Sequence, residues 1–161
     1  MLFRSSRSRE VVRCRLEIPC AWPDASQLIM ANSQSDIDFA LSLKNWAVVG
    51  LGNNPERAAY GVAKVLLDKG HRIFPIYPRA EVVHGQPGYV TLSEVPEAID
   101  VVDLFVNSSR AGEFVDQAIA IGAKAVWLQL DVHDDAAIAR AEAAGLKAIF
   151  DRCPAIEYRK R

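Results

Sequence analysis

Six consecutive residues, Gly50-Leu51-Gly52-Asn53-Asn54-Pro55, have types and spacing that suit chemistry, five of the six being Gly, Asn or Pro. A short apolar run, Trp46-Ala47-Val48-Val49, precedes them and suits a buried strand. After them Ala59, Val62, Ala63 and Leu66 fall at i, i+3, i+4 and i+7, which predicts a helix. A strand, a Gly-rich turn and a helix together offer backbone N–H groups and a helix N-terminus to a phosphate. Tight βα turns also use glycine for geometry alone, so the turn by itself leaves both readings open. A dinucleotide fingerprint would place a third glycine where Pro55 stands, and an acid at the end of the second strand. That strand ends Pro75-Ile76-Tyr77-Pro78-Arg79, with no acid before Glu81. A phosphate-bearing ligand is therefore expected, without two parts of the NAD signature.

Arg57, placed in the first helical turn, could grip a phosphate through two N–H donors; pairing with Glu56 or another surface carboxylate is the rival. Arg79 is set by the preceding proline for the same role, with a solvated arginine as the alternative. Tyr60 reads equally as core packing or as a lid on a nucleotide. His71, His84 and His133 form no constellation. His133 with Asp131, Asp134 and Asp135 could suggest a metal, but acids that open a helix serve as caps and dipole partners. No metal site is expected. Ser108 or Ser109 with His133 lacks a nucleophile-elbow pattern, so no catalytic residue is assigned. Cys153 reads as a structural thiol, with a mixed disulfide to a ligand thiol as the sharper alternative. Asp103 interrupts an apolar strand and is expected to be satisfied by backbone N–H groups.

The 161 residues allow one domain with a substantial core, and 50% hydrophobic with 24% charged side chains is ordinary for a globular chain. A net charge of −1 offers no footprint for nucleic acid, and none is expected as a partner. No apolar run approaches the roughly 18–20 residues that cross a bilayer, so no membrane partner is expected. Three cysteines, Cys14, Cys20 and Cys153, give neither a disulfide framework nor a zinc pattern, and a cytoplasmic location is the default. Residues 1–30 differ from the rest, with Arg4, Arg7, Arg9, Arg13 and Arg15 set against Glu10, Glu17 and Asp24. They read as a disordered or non-native extension, with Met30 as the working start, and residues 31–161 as the domain.

Along that domain, Ser33 to Leu43 predicts a short helix capped by Ser35. Strands are expected at Trp46–Val49, Arg72–Ile76, Val101–Val106, Ala125–Leu130 and Lys147–Phe150. Helices are expected from the glycine turn to Lys69, over Arg110–Ile121 and over Asp134–Ala144, with Gly70, Gly122 and Gly145 as stops. A helical turn capped by Ser93 and a frayed, charged end from Glu157 complete the pattern. Five strands alternating with helices predict a doubly wound, Rossmann-like parallel sheet, with strand order 3-2-1-4-5. Its ligand crevice would gather Gly50–Pro55, Tyr77–Arg79, Asn107–Arg110, Leu128–Asp131 and Cys153 at the carboxyl ends of the strands.

The segments VVGLGNNPERAAYGVAKVL (48–66), FPIYP (74–78), DLFVNSSRAGEFVDQAIAIGAKAVWLQLDV (103–132) and DRCPAIEY (151–158) together resemble the stand-alone CoA-binding domain proteins. That family is Rossmann-like and is similar to the CoA-binding domain of the succinyl-CoA synthetase α subunit. The likeness runs from about Lys44 to Tyr158. It implies that the first loop, Gly52, Asn53, Asn54 and Pro55, holds the CoA diphosphate, beside Gly50 and the candidates Arg57 and Tyr60 read above. It places Pro78 and Arg79 by the adenosine and its 3′-phosphate, and Leu128, Gln129 and Leu130 along the pantetheine path. The chain departs from the family at Gly52, where Ser or Thr is usual, and at Tyr77, where the family has Asn. It also has Ala58-Ala59 in place of Pro-Ser, and Asp131 in place of Gly. Lost hydroxyls at 52 and 59 leave backbone N–H groups and Arg57 as donors, and an acid at 131 is unfavourable to a polyanion.

The implied function is non-catalytic binding of coenzyme A or an acyl-CoA, the CoA ligand being the small-molecule partner. The alternative is a nucleotide-dependent enzyme or subunit, either an NAD-type oxidoreductase or an acyl-CoA ligase component that needs a partner. A homodimer or a partner subunit is compatible with either.

Overall fold

The computed structural model describes residues 32–161; the expected extension over residues 1–30 lies outside them. Helix α1 (Gln34–Ser42) leads into β1 (Asn45–Val49), and α2 (Ala58–Asp68) into β2 (Arg72–Ile76). A long connection holding one 3-10 turn (Leu92–Glu94) reaches β3 (Val101–Leu104). Then come α3 (Ser108–Ala120), β4 (Ala125–Leu128), α4 (Asp135–Ala143), β5 (Lys147–Ile149) and α5 (Pro154–Arg159).

All five strands are parallel, in the order β2-β1-β3-β4-β5. The doubly wound, Rossmann-like fold stands, and the expected order 3-2-1-4-5 is corrected. Val48 faces Pro75 of β2 on one side and Asp103 of β3 on the other, so the chain crosses over β1 between its second and third strands. Strand periodicity reports which faces are buried and carries no information on which edges pair. The consequence is functional: β1→β2 and β3→β4 wind in opposite directions, and the switch point falls between the ends of β1 and β3.

Both faces of the sheet are covered, which is why its strands read as continuous apolar runs. One face carries Ala47, Val49, Phe74, Ile76, Val102, Leu104, Val126 and Leu128 under α3, α4 and the 3-10 turn. The other carries Trp46, Val48, Ile73, Val101, Trp127 and Ile149 under α1, α2 and α5. Trp46 and Trp127 are fully buried with ring centroids 5.7 Å apart; truncating such a residue to Ala typically costs about 3–5 kcal/mol.

Local details differ from the sequence reading: β3 ends at Leu104 and β4 at Leu128, each two residues earlier than expected, and α3 begins at Ser108 rather than Arg110. Ser33, not Ser35, caps α1, its Oγ accepting the Asp36 N–H at 3.1 Å. Thr91, not Ser93, precedes the 3-10 turn. The charged end is not frayed: Pro154 opens α5 at N1, and the helix seats Glu157 in a buried position, where Lys160 bonds it at 2.9 Å. Tyr158 of α5 meets His71, whose Nδ1 donates to the Leu43 carbonyl at 2.8 Å. Burial lowers the His71 pKa, and the Leu43 hydrogen bond opposes that shift.

Asp103 is fully buried at the centre of the sheet. Its Oδ1 accepts from Gln129 Nε2 at 2.7 Å and its Oδ2 has no partner. Burial pushes its pKa up to about 8, against a smaller opposing effect of the Gln129 bond, so the carboxyl keeps its proton at neutral pH. The Gln129 amide adds to the expected backbone donor, the Leu104 N–H, whose smaller effect also opposes the rise. It does so because Gln129 extends from β4 on the same face as Trp127, whose Cα pairs with Asp103.

Candidate functional site

The end of β1 is closed by Gly50. Its φ is +89°, and a Cβ there would lie 2.4 Å from the Phe105 carbonyl oxygen, so only glycine lets β1 and β3 end this close together. Its N–H donates to the Ile76 carbonyl at 2.8 Å, which joins the end of β2 to the same point. Leu51, fully buried, anchors the turn from below. Asn54 then shapes the run into the helix: its Oδ1 accepts the Glu56 N–H at 2.9 Å and its carbonyl accepts the Arg57 N–H at 3.1 Å.

Arg57 is the N-cap of α2 rather than a residue of its first turn, and its side chain makes no capping bond. No acid lies in the first turn of α2, and α3 repeats the pattern, with Asn107 as N-cap, no side-chain capping bond and no acid in the first turn. The helices α1 and α4, which do not open on this site, are built the other way. Ser33 and Asp134 cap them through their side chains, and acids occupy their first turns. The two helix ends at the switch point thus keep their N–H donors and positive dipole ends uncompensated.

Two adjoining cavities lie there, of about 490 Å³ and about 210 Å³, sharing Gly50, Arg57 and Tyr77. Into the larger project Ile76, Phe105 and Phe114 as apolar wall, and Asn107, Arg110, Glu113 and Gln117 as polar wall. The smaller is formed by the glycine turn with Arg79 and Glu81. Among the described residues no carboxylate pairs with Arg57, whereas Arg79 approaches Glu81 at 3.9 Å and Arg110 approaches Glu113 at 3.8 Å.

Of the residues singled out from sequence, Gly50, Gly52, Asn53, Asn54, Arg57, Pro78, Arg79 and Asn107 line one or both cavities. Pro55, Tyr60, Leu128, Gln129 and Leu130 line neither. Tyr60 stacks on His84 with centroids 4.1 Å apart, and His84 Nε2 bonds the Tyr60 carbonyl at 2.9 Å. Leu128 is core, Gln129 turns inward to Asp103, and Leu130 is exposed beyond the strand. The corrected strand order accounts for the β4 residues, since β4 is separated from β1 by the whole of β3. Arg110 closes the expected Asn107–Arg110 segment of the crevice, whereas Glu113 and Gln117 were missed, because the cavity face of α3 carries no motif. Asp134 Oδ1 caps α4 by accepting the Ala137 N–H, and among the described residues no group of three His, Cys, Asp or Glu could hold a metal ion. Asp131 adopts φ +64°, a left-handed conformation that Asp tolerates better than most residues. Cys153 is a free thiol, half-buried beside the Trp127 face.

A family model described as a CoA binding domain matches residues 44–159, which takes in every strand and both cavities. The chain belongs to the CoA binding domain family. The CoA-binding domain resembles YneT of Bacillus subtilis (strain 168), at 28% identity over 110 residues, 68% of this chain and 82% of that protein. It also matches the α subunit of an ADP-forming acetate–CoA ligase II of Pyrococcus furiosus, at 30% identity over 84 residues, 52% of this chain. That match spans only 18% of the ligase subunit. Among solved structures, a hypothetical protein from Pyrococcus horikoshii OT3 superposes with a TM-score of 0.76 at 38% identity, covering 80% of this chain and 91% of that one. The domain is thus related to acyl-CoA ligase subunits as well as to short proteins of its own length. No helix among the described residues is long and apolar enough to cross a membrane.

Proposed function

We propose that this CoA-binding domain binds coenzyme A or an acyl-CoA at the switch point and does not turn it over. The observation that carries the reading is the pair of uncapped helix N-termini, α2 and α3, opening on joined cavities beside Arg57, with which no carboxylate pairs among the described residues. A diphosphate supplies the negative charge that those N–H groups and that guanidinium lack. The residues present fit such a group: Gly50 and Gly52 leave the turn without side chains, and Arg57 is shared by both cavities. Arg57 and the N–H groups opening α2 would hold the diphosphate. Pro78 and Arg79 would flank the nucleoside, and the Ile76–Phe105–Phe114 wall would take the less polar portion. CoA supplies a thiol or thioester; the chain's residues bind and orient it.

The non-catalytic part rests on the composition of the cavity wall. Its two acids, Glu113 and Glu81, are matched by Arg110 and Arg79, and neither Cys nor His lines either cavity. Calorimetric titration with CoA tests the binding, with NAD as comparator. Saturable heat with CoA and none with NAD is expected, and no heat or thermal shift at millimolar CoA would overturn it. Free thiol released from acetyl-CoA by this chain would overturn the non-catalytic part. A role within a larger ligase assembly is the second reading, favoured by the match to the ligase α subunit.

A further inference from the structure

The smaller cavity contains an anion of the protein's own. Glu81 Oε2 accepts the Asn53 backbone N–H at 2.8 Å, so a carboxylate occupies a donor at the centre of the glycine turn. Two features of the chain put it there. The first is space: a Cβ on Gly52 would come within 3.2 Å of Glu81 Oε2, so the missing side chain at 52 makes the seat for the carboxylate. The second is the loop that carries Glu81. It is tied at its base by the Tyr77 N–H to the Tyr89 carbonyl at 3.0 Å and near its tip by reciprocal Val83–Gln86 bonds. Buried Val83 and the His84 contact with the Tyr60 carbonyl fix it to the core and to α2. Gly88 lets it close, since a Cβ there would lie 2.3 Å from the Glu81 carbonyl oxygen. The backbone of Glu81 is held, and only its side chain is free to leave.

We propose that Glu81 is an intramolecular stand-in for the ligand's phosphate, which an incoming diphosphate must displace from the Asn53 N–H, and which thereby limits the affinity of this chain for anions. The inference rests on the reading of the turn as a phosphate seat. With Glu81 in place the smaller cavity holds two cations, Arg57 and Arg79, against one carboxylate, and a diphosphate would meet a like charge at contact distance. When the carboxylate swings out, one N–H is freed. Arg79, exposed and 3.9 Å from Glu81 Oε1, is free either to follow it or to turn to the ligand.

The test uses Glu81→Gln, which keeps an acceptor for the Asn53 N–H and removes the charge, and Glu81→Ala, which removes both. Each is titrated calorimetrically with CoA and with inorganic pyrophosphate at fixed salt, alongside wild type, and the Asn53 amide signal is followed by NMR. Both variants should bind CoA about tenfold or more tightly, from removal of one like charge at close range. Pyrophosphate should show the same order, and added CoA should move the Asn53 signal in wild type. Equal or weaker CoA binding by both variants would overturn the inference and leave the CoA reading standing. Absence of CoA binding in all three proteins, with pyrophosphate bound more tightly by the variants, would overturn the CoA reading and support the displacement. Absence of binding to either ligand in all three would overturn both.

Discussion

Asp103 and Gln129 meet at 2.7 Å inside the sheet, and the other carboxyl oxygen of Asp103 has no partner. The folded protein holds this proton up to about pH 8, whereas the unfolded chain gives it up near 3.8. Between those values the folded state binds more protons, so this group's contribution to stability falls as pH rises through that window. Asp103→Asn removes the titration. Relative to wild type the variant should gain on the order of a few kcal/mol between pH 5 and pH 8. Urea midpoints at the two pH values check it; a constant difference between the proteins would show that Asp103 is ionised in the fold.

His71 titrates in the opposite sense. Burial keeps it neutral in the fold, below its ordinary value of 6.5, with Nδ1–H on the Leu43 carbonyl and Nε2 facing the Tyr158 hydroxyl. The unfolded chain takes up the proton first, so this contribution is present above about pH 6.5 and is lost as pH falls below it. His71→Gln should flatten thermal stability between pH 7 and pH 5. Tyr158→Phe, which leaves a ring nitrogen short of a donor, should cost about 1 kcal/mol at pH 7.

Gly50→Ala strikes both the backbone and the close approach of β1 to β3. The new Cβ would meet the Phe105 carbonyl at 2.4 Å with φ at +89°. A loss of about 2–4 kcal/mol is expected from left-handed strain and overpacking combined. Denaturant unfolding reads it directly. Gly61→Ala is the control, because a Cβ there meets nothing within 4 Å and the position lies within α2, where Ala is the better helix former.

Arg57→Ala separates binding from folding. The side chain is exposed at the mouth of both cavities, and among the described residues no carboxylate pairs with it. Unfolding should therefore be unchanged within about 0.5 kcal/mol. CoA affinity, by the proposed role, should fall about tenfold or more through loss of charge-assisted hydrogen bonds. Calorimetry and thermal melts on the same sample distinguish the two effects.

The elements that could be read from sequence are those determined by neighbours in the chain. The run from Trp46 through the glycine turn to Leu66 announced strand, turn and helix, because burial on one helical face and glycine's backbone freedom are local properties. Arg72–Ile76 was bounded in sequence as it is in the fold, since a buried strand closed by Gly70 and Pro78 has little room to shift. The residues quoted for the family likeness were sufficient to name the family for the same reason. Gln129, Tyr60 and Glu81 were of another kind. Whether Gln129 faces a cavity or Asp103 depends on which strand lies beside β4, and whether Glu81 stays in solvent or takes the Asn53 N–H depends on a loop closing 28 residues away. The residues by themselves determined a five-stranded fold of the CoA binding domain family with a Gly-rich turn after its first strand. Only the tertiary structure decided that β3 lies beside β1, that α3 supplies the second wall, and that a carboxylate sits in the turn. Strand pairing and loop docking join groups far apart in the chain, and no local pattern records them.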